Sequence, residues 1–176
     1  MSTIVVGVDG SEESVEALRF ALDEATRSHA AVKAVTAWHV PPAAYGMGWT
    51  VPVEPESYET VARKRLEHTL DEAGAATAGV DVDAEVVKGE AADVLCDAAR
   101  DAELLVVGSR GLGALRSLVT GSVGRACVHH APCPVVIMPH RTVQFPAALS
   151  RTPAVLRRRP PALDEQGDEI RMWLAS

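Results

Sequence analysis

Four consecutive branched apolar residues, Leu104-Leu105-Val106-Val107, run into Gly108-Ser109-Arg110-Gly111, and after nine intervening residues Gly121-Ser122 opens a new pattern. Downstream, Val123, Ala126, Cys127 and His130 recur at helical spacing. A buried strand therefore ends on glycine, opens into a loop and re-enters a helix. Glycines let backbone N–H groups approach an anion, and the free N–H groups of a helix start stabilise negative charge. The unit predicts a phosphate site.

The same alternation of strand and helix fills the rest of the chain. Residues 4–8, Ile4-Val5-Val6-Gly7-Val8, read as a strand stopped by Asp9-Gly10-Ser11. Ser11 can cap a helix with an apolar stripe at Val15, Leu18, Leu22 and Ala25. A second strand covers about residues 32–40 and stops at Pro41-Pro42, because proline cannot donate to a ladder. The loop from there to about Pro55 carries Tyr45 and Trp49; its length suggests a flap. Tyr58, Ala62, Leu66, Thr69, Leu70 and Ala73 mark a second helix, and Val94, Leu95, Ala98 and Ala99 a third. The last strand is Val135-Val136-Ile137-Met138.

Alternating strands and helices imply crossover connections and a single doubly wound parallel α/β sheet with helices on both faces. Residues 80–87 alternate Val80, Val82, Ala84 and Val86 with Asp81, Asp83 and Glu85, so one face meets water and this third strand belongs at an edge. The first and fourth strands are solidly apolar and therefore central. The five strands then take the order 3-2-1-4-5, with the winding reversed between strands one and four. Ligands of such sheets bind outside the carboxyl ends of the strands at that reversal. Those ends carry Asp9-Gly10 and Gly108, so topology and the glycine loop indicate one crevice.

Composition narrows the ligand. A net charge of −7 disfavours general binding to nucleic acid or anionic membranes, so a bound polyanion must rely on local N–H groups and on single residues such as Arg110 and Arg116. No apolar run is long enough to cross a membrane, and Met1-Ser2-Thr3 leads straight into a strand without a signal-peptide pattern. The three cysteines, Cys96, Cys127 and Cys133, form no C-x-x-C pair and read as buried reduced thiols, which places the chain in the cytoplasm.

With these residues in place the chain resembles the universal stress protein family. The resemblance rests on Gly7-Val8-Asp9-Gly10-Ser11, His39-Val40, Val107-Gly108-Ser109-Arg110-Gly111, Gly121-Ser122-Val123 and Pro132-Cys133-Pro134-Val135, and covers residues 1 to about 140. It implies the same 3-2-1-4-5 fold. In the members that bind ATP, the glycines recur as here: G-x-x-G, nine residues, then G-S or G-T. By that resemblance Asp9 lies against the nucleotide, and Val8 and Val40 line the adenine pocket. Val107, Gly108, Arg110 and Gly111 flank ribose and phosphates, while Gly121, Ser122 and Val123 present N–H and hydroxyl groups. Arg110 stands where histidine is common, and a guanidinium there can grip phosphate bidentately. The resemblance also implies a homodimer through the last strand, an apolar edge that seeks a partner.

Simpler roles compete at several positions. Asp9 either touches ligand, with Mg²⁺ held through it, or only caps its turn. Ser122 is an N-cap with or without a phosphate contact. His129 and His130 read as surface or interface residues and His39 as a packed neutral histidine. Arg116 reads as a solvated charge.

The sequence lacks G-x-x-x-x-G-K-[ST], G-x-S-x-G and H-E-x-x-H. The reading is therefore an ATP-binding, nucleotide-responsive module for unknown protein partners, with a slow ATP hydrolase or an interaction protein without nucleotide as alternatives. Beyond residue 140, Pro146, Pro153, Pro160 and Pro161 fall among Arg157-Arg158-Arg159 and Asp164-Glu165. Residues 141–176 are expected to be a disordered tail, or one docked on a neighbouring subunit through the Trp173 segment.

Overall fold

A computed structural model describes residues 2–40, 55–109, 121–139 and 154–156. The chain begins with β1 (Thr3–Gly7), α1 (Glu12–Ser28), β2 (Ala31–Trp38) and α2 (Pro55–Ala73). It continues with β3 (Val82–Lys88), α3 (Ala91–Ala98), β4 (Leu104–Gly108), α4 (Ser122–His130), β5 (Val135–Met138) and β6 (Ala154–Leu156). The sheet order is β3-β2-β1-β4-β5-β6, and the first five strands are mutually parallel. The expected 3-2-1-4-5 order is therefore present. One element extends it: β6 pairs antiparallel with β5, placing Leu156, Val155 and Ala154 opposite Val135, Val136 and Ile137. Proline and arginine around this short run hid it from a composition-based reading.

The two-residue period of a strand sends alternate side chains to opposite faces, and each face meets its own helices. Ile4, Val6, Val32, Ala34, Val106 and Val136 pack with Leu18 and Leu22 of α1 and Leu66 of α2. Val5, Val35, Leu105, Val107 and Val135 pack on the other face with Leu95 of α3 and Cys127 of α4. Helices thus cover both faces. β3 lies at the edge, with Asp83, Ala84 and Glu85 exposed.

The α1 start follows the sequence expectation. Ser11 Oγ accepts the Ser14 N–H at 3.2 Å, capping a helix that carries Glu12 and Glu13 in its first turn. Carboxylates there favour the positive end of the helix.

One buried group is less well served. Thr36 is 3% exposed on β2, and its Oγ1 has no hydrogen-bond partner among the described residues. An unpaired buried hydroxyl costs about 1–3 kcal/mol, so Thr36→Val, which removes the oxygen and keeps the shape, is expected to stabilise the fold by about 1 kcal/mol. Urea denaturation checks this. A variant less stable than the parent would mean that the hydroxyl has a partner.

Candidate functional site

The crevice is built where β1 and β4 run side by side. Val6 sits opposite Val106, so the Asp9 turn and Gly108 leave neighbouring strands at the same end of the sheet. Beyond β1, Val8 continues the ladder to β2 by donating its N–H to Val35 at 2.9 Å. Asp9 then folds the chain over: its Oδ1 accepts the Ser11 N–H at 3.1 Å and the Ser11 hydroxyl at 2.6 Å. Gly10 holds φ at +85°, a region that favours glycine, and the Arg65 stem lies 3.4–3.5 Å from where a Cβ would stand. Arg65, on α2, was not indicated by any sequence signal. It closes the side of the turn.

On the β4 side, Ser109 donates its N–H to the Met138 carbonyl at 2.7 Å, while its own carbonyl accepts the Gly121 N–H at 2.6 Å. That second bond joins the two glycine segments. It brings the start of α4 directly to the end of β4. The N-cap of α4 is Gly121, not Ser122, and Gly121 supplies no side-chain cap. This corrects the sequence assignment of Ser122, which is the first residue inside the helix.

The consequences are chemical. Arg125 N–H is bonded to the Gly121 carbonyl at 3.1 Å, so the N–H groups of Ser122, Val123 and Gly124 precede the first intrahelical donor and have no i−4 acceptor within the helix. Gly121's own N–H is committed to Ser109, so donors to an anion must come from the residues after it. Gly124, buried in α4, was not singled out in the sequence.

The remaining expected site residues divide. Gly108 is half-buried at the crevice, Ser122 is exposed, and Val123 and Val40 are half-buried. The side chains of Val8 and Val107 are buried, each in the core on its own face of the sheet, so these two residues can offer a ligand chiefly their backbone. Arg110, Gly111, Arg116, Tyr45 and Trp49 lie outside the described residues, as does Trp173.

The side chain of His39 is 52% exposed, and its Nδ1 stands 4.0 Å from Glu90 Oε1, so it is a surface residue and not a packed one. Its carboxylate neighbour is on the turn into α3. His129 and His130 are exposed at the end of α4, as expected.

The three thiols are free. Cys127 is buried, whereas Cys96 and Cys133 are half-buried against the same core. Burial pushes the Cys127 thiol up from 9.0 to about 12, with the neighbouring Cys96 adding to the effect. Among the described residues no group of histidine, cysteine or carboxylate side chains could hold a metal ion.

A raised thiol pKa fixes the sign of a pH effect. The unfolded chain loses the Cys127 proton near pH 9 while the folded chain keeps it to about 12. The contribution is complete below pH 9 and disappears as pH rises toward the folded value. Thermal unfolding is thus expected to show an alkaline loss of stability that is smaller in Cys127→Ala. Equal slopes in the two proteins would contradict it.

An open parallel sheet wound in both directions, with helices on both faces, defines a doubly wound α/β domain. The universal stress protein family model matches residues 1–139. The chain belongs to that family. It is 34% identical over 142 residues to a universal stress protein of Mycolicibacterium smegmatis, covering 77% of this chain and 47% of the relative. Against a universal stress protein of Thermus aquaticus it is 35% identical over 140 residues, covering 77% of this chain and 97% of the relative. The chain spans about half the length of the mycobacterial relative. Among solved structures, a universal stress protein in complex with cAMP is 30% identical, with a TM-score of 0.55 and coverage of 78% of this chain and 95% of that one. No helix among the described residues is long and apolar enough to cross a membrane.

Proposed function

We propose that this chain binds an adenine nucleotide in the crevice between the Asp9 turn and the start of α4, and acts as a nucleotide-responsive binding module for protein partners in stress adaptation. The bond from Gly121 N–H to the Ser109 carbonyl carries the reading, because it sets a helix start whose N-cap glycine supplies no side-chain cap at the end of β4. Such a start stabilises phosphate through its N–H groups and the helix dipole. A relative with cAMP bound supports an adenine nucleotide as the class of ligand.

ATP is the nucleotide proposed, with Val8 and Val40 toward the base. Gly108, Arg110 and Gly111 stand toward ribose and phosphates, and Ser122 and Val123 on the phosphates. The donor set fits the anion. Mg²⁺ would arrive on the phosphates, since it is commonly held by one or two carboxylates together with phosphate oxygens and water, and Asp9 is the carboxylate assigned to it. The chain lacks the P-loop lysine, which favours holding nucleotide over turning it over. The free thiols favour the reducing cytoplasm as its compartment. The homodimer implied through the last strand requires the β5 edge, which β6 occupies in this structure.

Mass spectrometry of the small molecules released from gently purified protein, followed by calorimetry with ATP, AMP and cAMP, tests the reading. An adenine nucleotide is expected in the released fraction, and ATP is expected to bind most tightly. If none of the three bound at millimolar concentration, the reading would fail.

A further inference from the structure

Arginines on the helices of this chain are matched with carboxylates: Arg19 with Glu16, Arg27 with Glu24, Arg63 with Glu59 and Arg100 with Asp97. Arg65 on α2 differs. Its backbone carbonyl accepts the Thr69 hydroxyl at 2.8 Å, but its guanidinium has no ion pair or hydrogen bond among the described residues. The residue is exposed, yet its stem is held in place. Cβ, Cγ and Cδ all lie 3.4–3.5 Å from where a Cβ on Gly10 would stand, so the aliphatic chain runs along the bare side of the Asp9 turn. The guanidinium carbon follows two bonds beyond Cδ, at the rim of the crevice.

The fold decides which part of a ligand meets that group. α2 packs on α1, β2 and β3, and Leu66, next to Arg65, is buried in the core on the α1 face. α4 packs on the opposite face of the sheet. Arg65 therefore enters the crevice from the β2 side, and the free N–H groups of α4 enter it from the β4 side. A nucleotide whose phosphates rest on α4 turns its base toward β2, where Val40 also stands. A guanidinium is planar and weakly hydrated, and it stacks on aromatic faces as well as pairing with anions.

Given the adenine-nucleotide reading, on which this rests, we infer that Arg65 is a base contact, its guanidinium plane stacked on the purine ring. The stem packed along Gly10 fixes the plane before ligand arrives, so less side-chain freedom is lost on binding. Glycine at position 10 is what lets the stem lie so close to the turn.

The test uses the full chain with two variants. Arg65→Met keeps an apolar stem over Gly10 and removes the guanidinium; Arg65→Lys keeps the charge and removes the plane. Calorimetry with ATP and with AMP reads the dissociation constants, and melting curves verify folding. Arg65→Met is expected to weaken ATP and AMP by the same factor, about tenfold, because the base is common to both. Arg65→Lys is expected to stay closer to Arg65→Met than to the parent. A much larger loss for ATP than for AMP would put the guanidinium on phosphate, and full recovery in Arg65→Lys would make charge alone sufficient. Either result overturns the stacking contact, as does parent-like affinity in Arg65→Met. Should the parent bind neither nucleotide, the nucleotide reading itself fails and the base contact falls with it. If Arg65→Met does not fold, Arg65→Gln is read by the same criteria.

Discussion

Gly121→Val is expected to weaken nucleotide binding about a hundredfold, close to 3 kcal/mol, while the folded sheet persists. The size follows from what the substitution does to the helix start. The backbone at Gly121 has φ −64° and ψ 162°, a conformation that any L-residue adopts, so a side chain adds no backbone strain. The N–H of residue 121 can still reach Ser109. What changes is the space at the N-cap, where a branched side chain would stand beside the N–H groups that an anion must approach. Valine is also a worse N-cap than glycine, costing about 1 kcal/mol of stability, which a melting curve separates from the binding defect. Calorimetry with ATP on parent and variant checks the prediction. Undiminished affinity in a folded Gly121→Val protein would remove the phosphate assignment, and Gly121→Ala should give an intermediate loss.

Leu105→Ala is expected to cost about 2–5 kcal/mol of folding stability, a large share of the roughly 5–15 kcal/mol a domain possesses. Leu105 is fully buried in β4, packed in the core on the α3–α4 face. Its truncation leaves a cavity in the strand that ends at Gly108. The loss reports on the scaffold and not on ligand chemistry. Saturation with nucleotide at about 100 times its dissociation constant should therefore return about 2.7 kcal/mol in parent and variant alike. Urea unfolding with and without ATP measures both numbers. A loss below about 1 kcal/mol would mean that this face of the sheet is loosely packed. Failure of ATP to stabilise either protein would count against the nucleotide, and not against the core.

The two predictions separate what was readable in the chain from what was not. Leu105 announced itself by standing in an unbroken apolar run, and the packing of β4 followed from that run. The edge position of β3 was equally legible, because Asp81, Asp83 and Glu85 alternate with valine and alanine. Of the candidate site, Asp9, Gly108 and Gly121 stand out in the sequence by type and spacing. Their mutual placement rests on the Ser109–Gly121 bond, which no periodicity encodes. Serine is the common cap residue and Ser122 fits that pattern, yet the chain enters the helix one residue earlier, at a glycine. Arg65 is tied to Gly10 only through the packing of α2 near the start of α1.

The amino-acid order alone settled the alternation of strand and helix, the apolar faces, the sheet order and the end of the sheet where a ligand would sit. These are consequences of side-chain period and of burial, which act between neighbours along the chain. Folding in three dimensions decided which residue caps α4, that Val8 and Val107 turn their side chains into the core, that the Thr36 hydroxyl has no partner among the described residues, and that Ala154–Leu156 covers β5. Each of those depends on contacts between segments distant in sequence. A local pattern limits what such segments can offer one another, but their pairing is selected only when the whole chain competes for the same buried surface and the same hydrogen bonds.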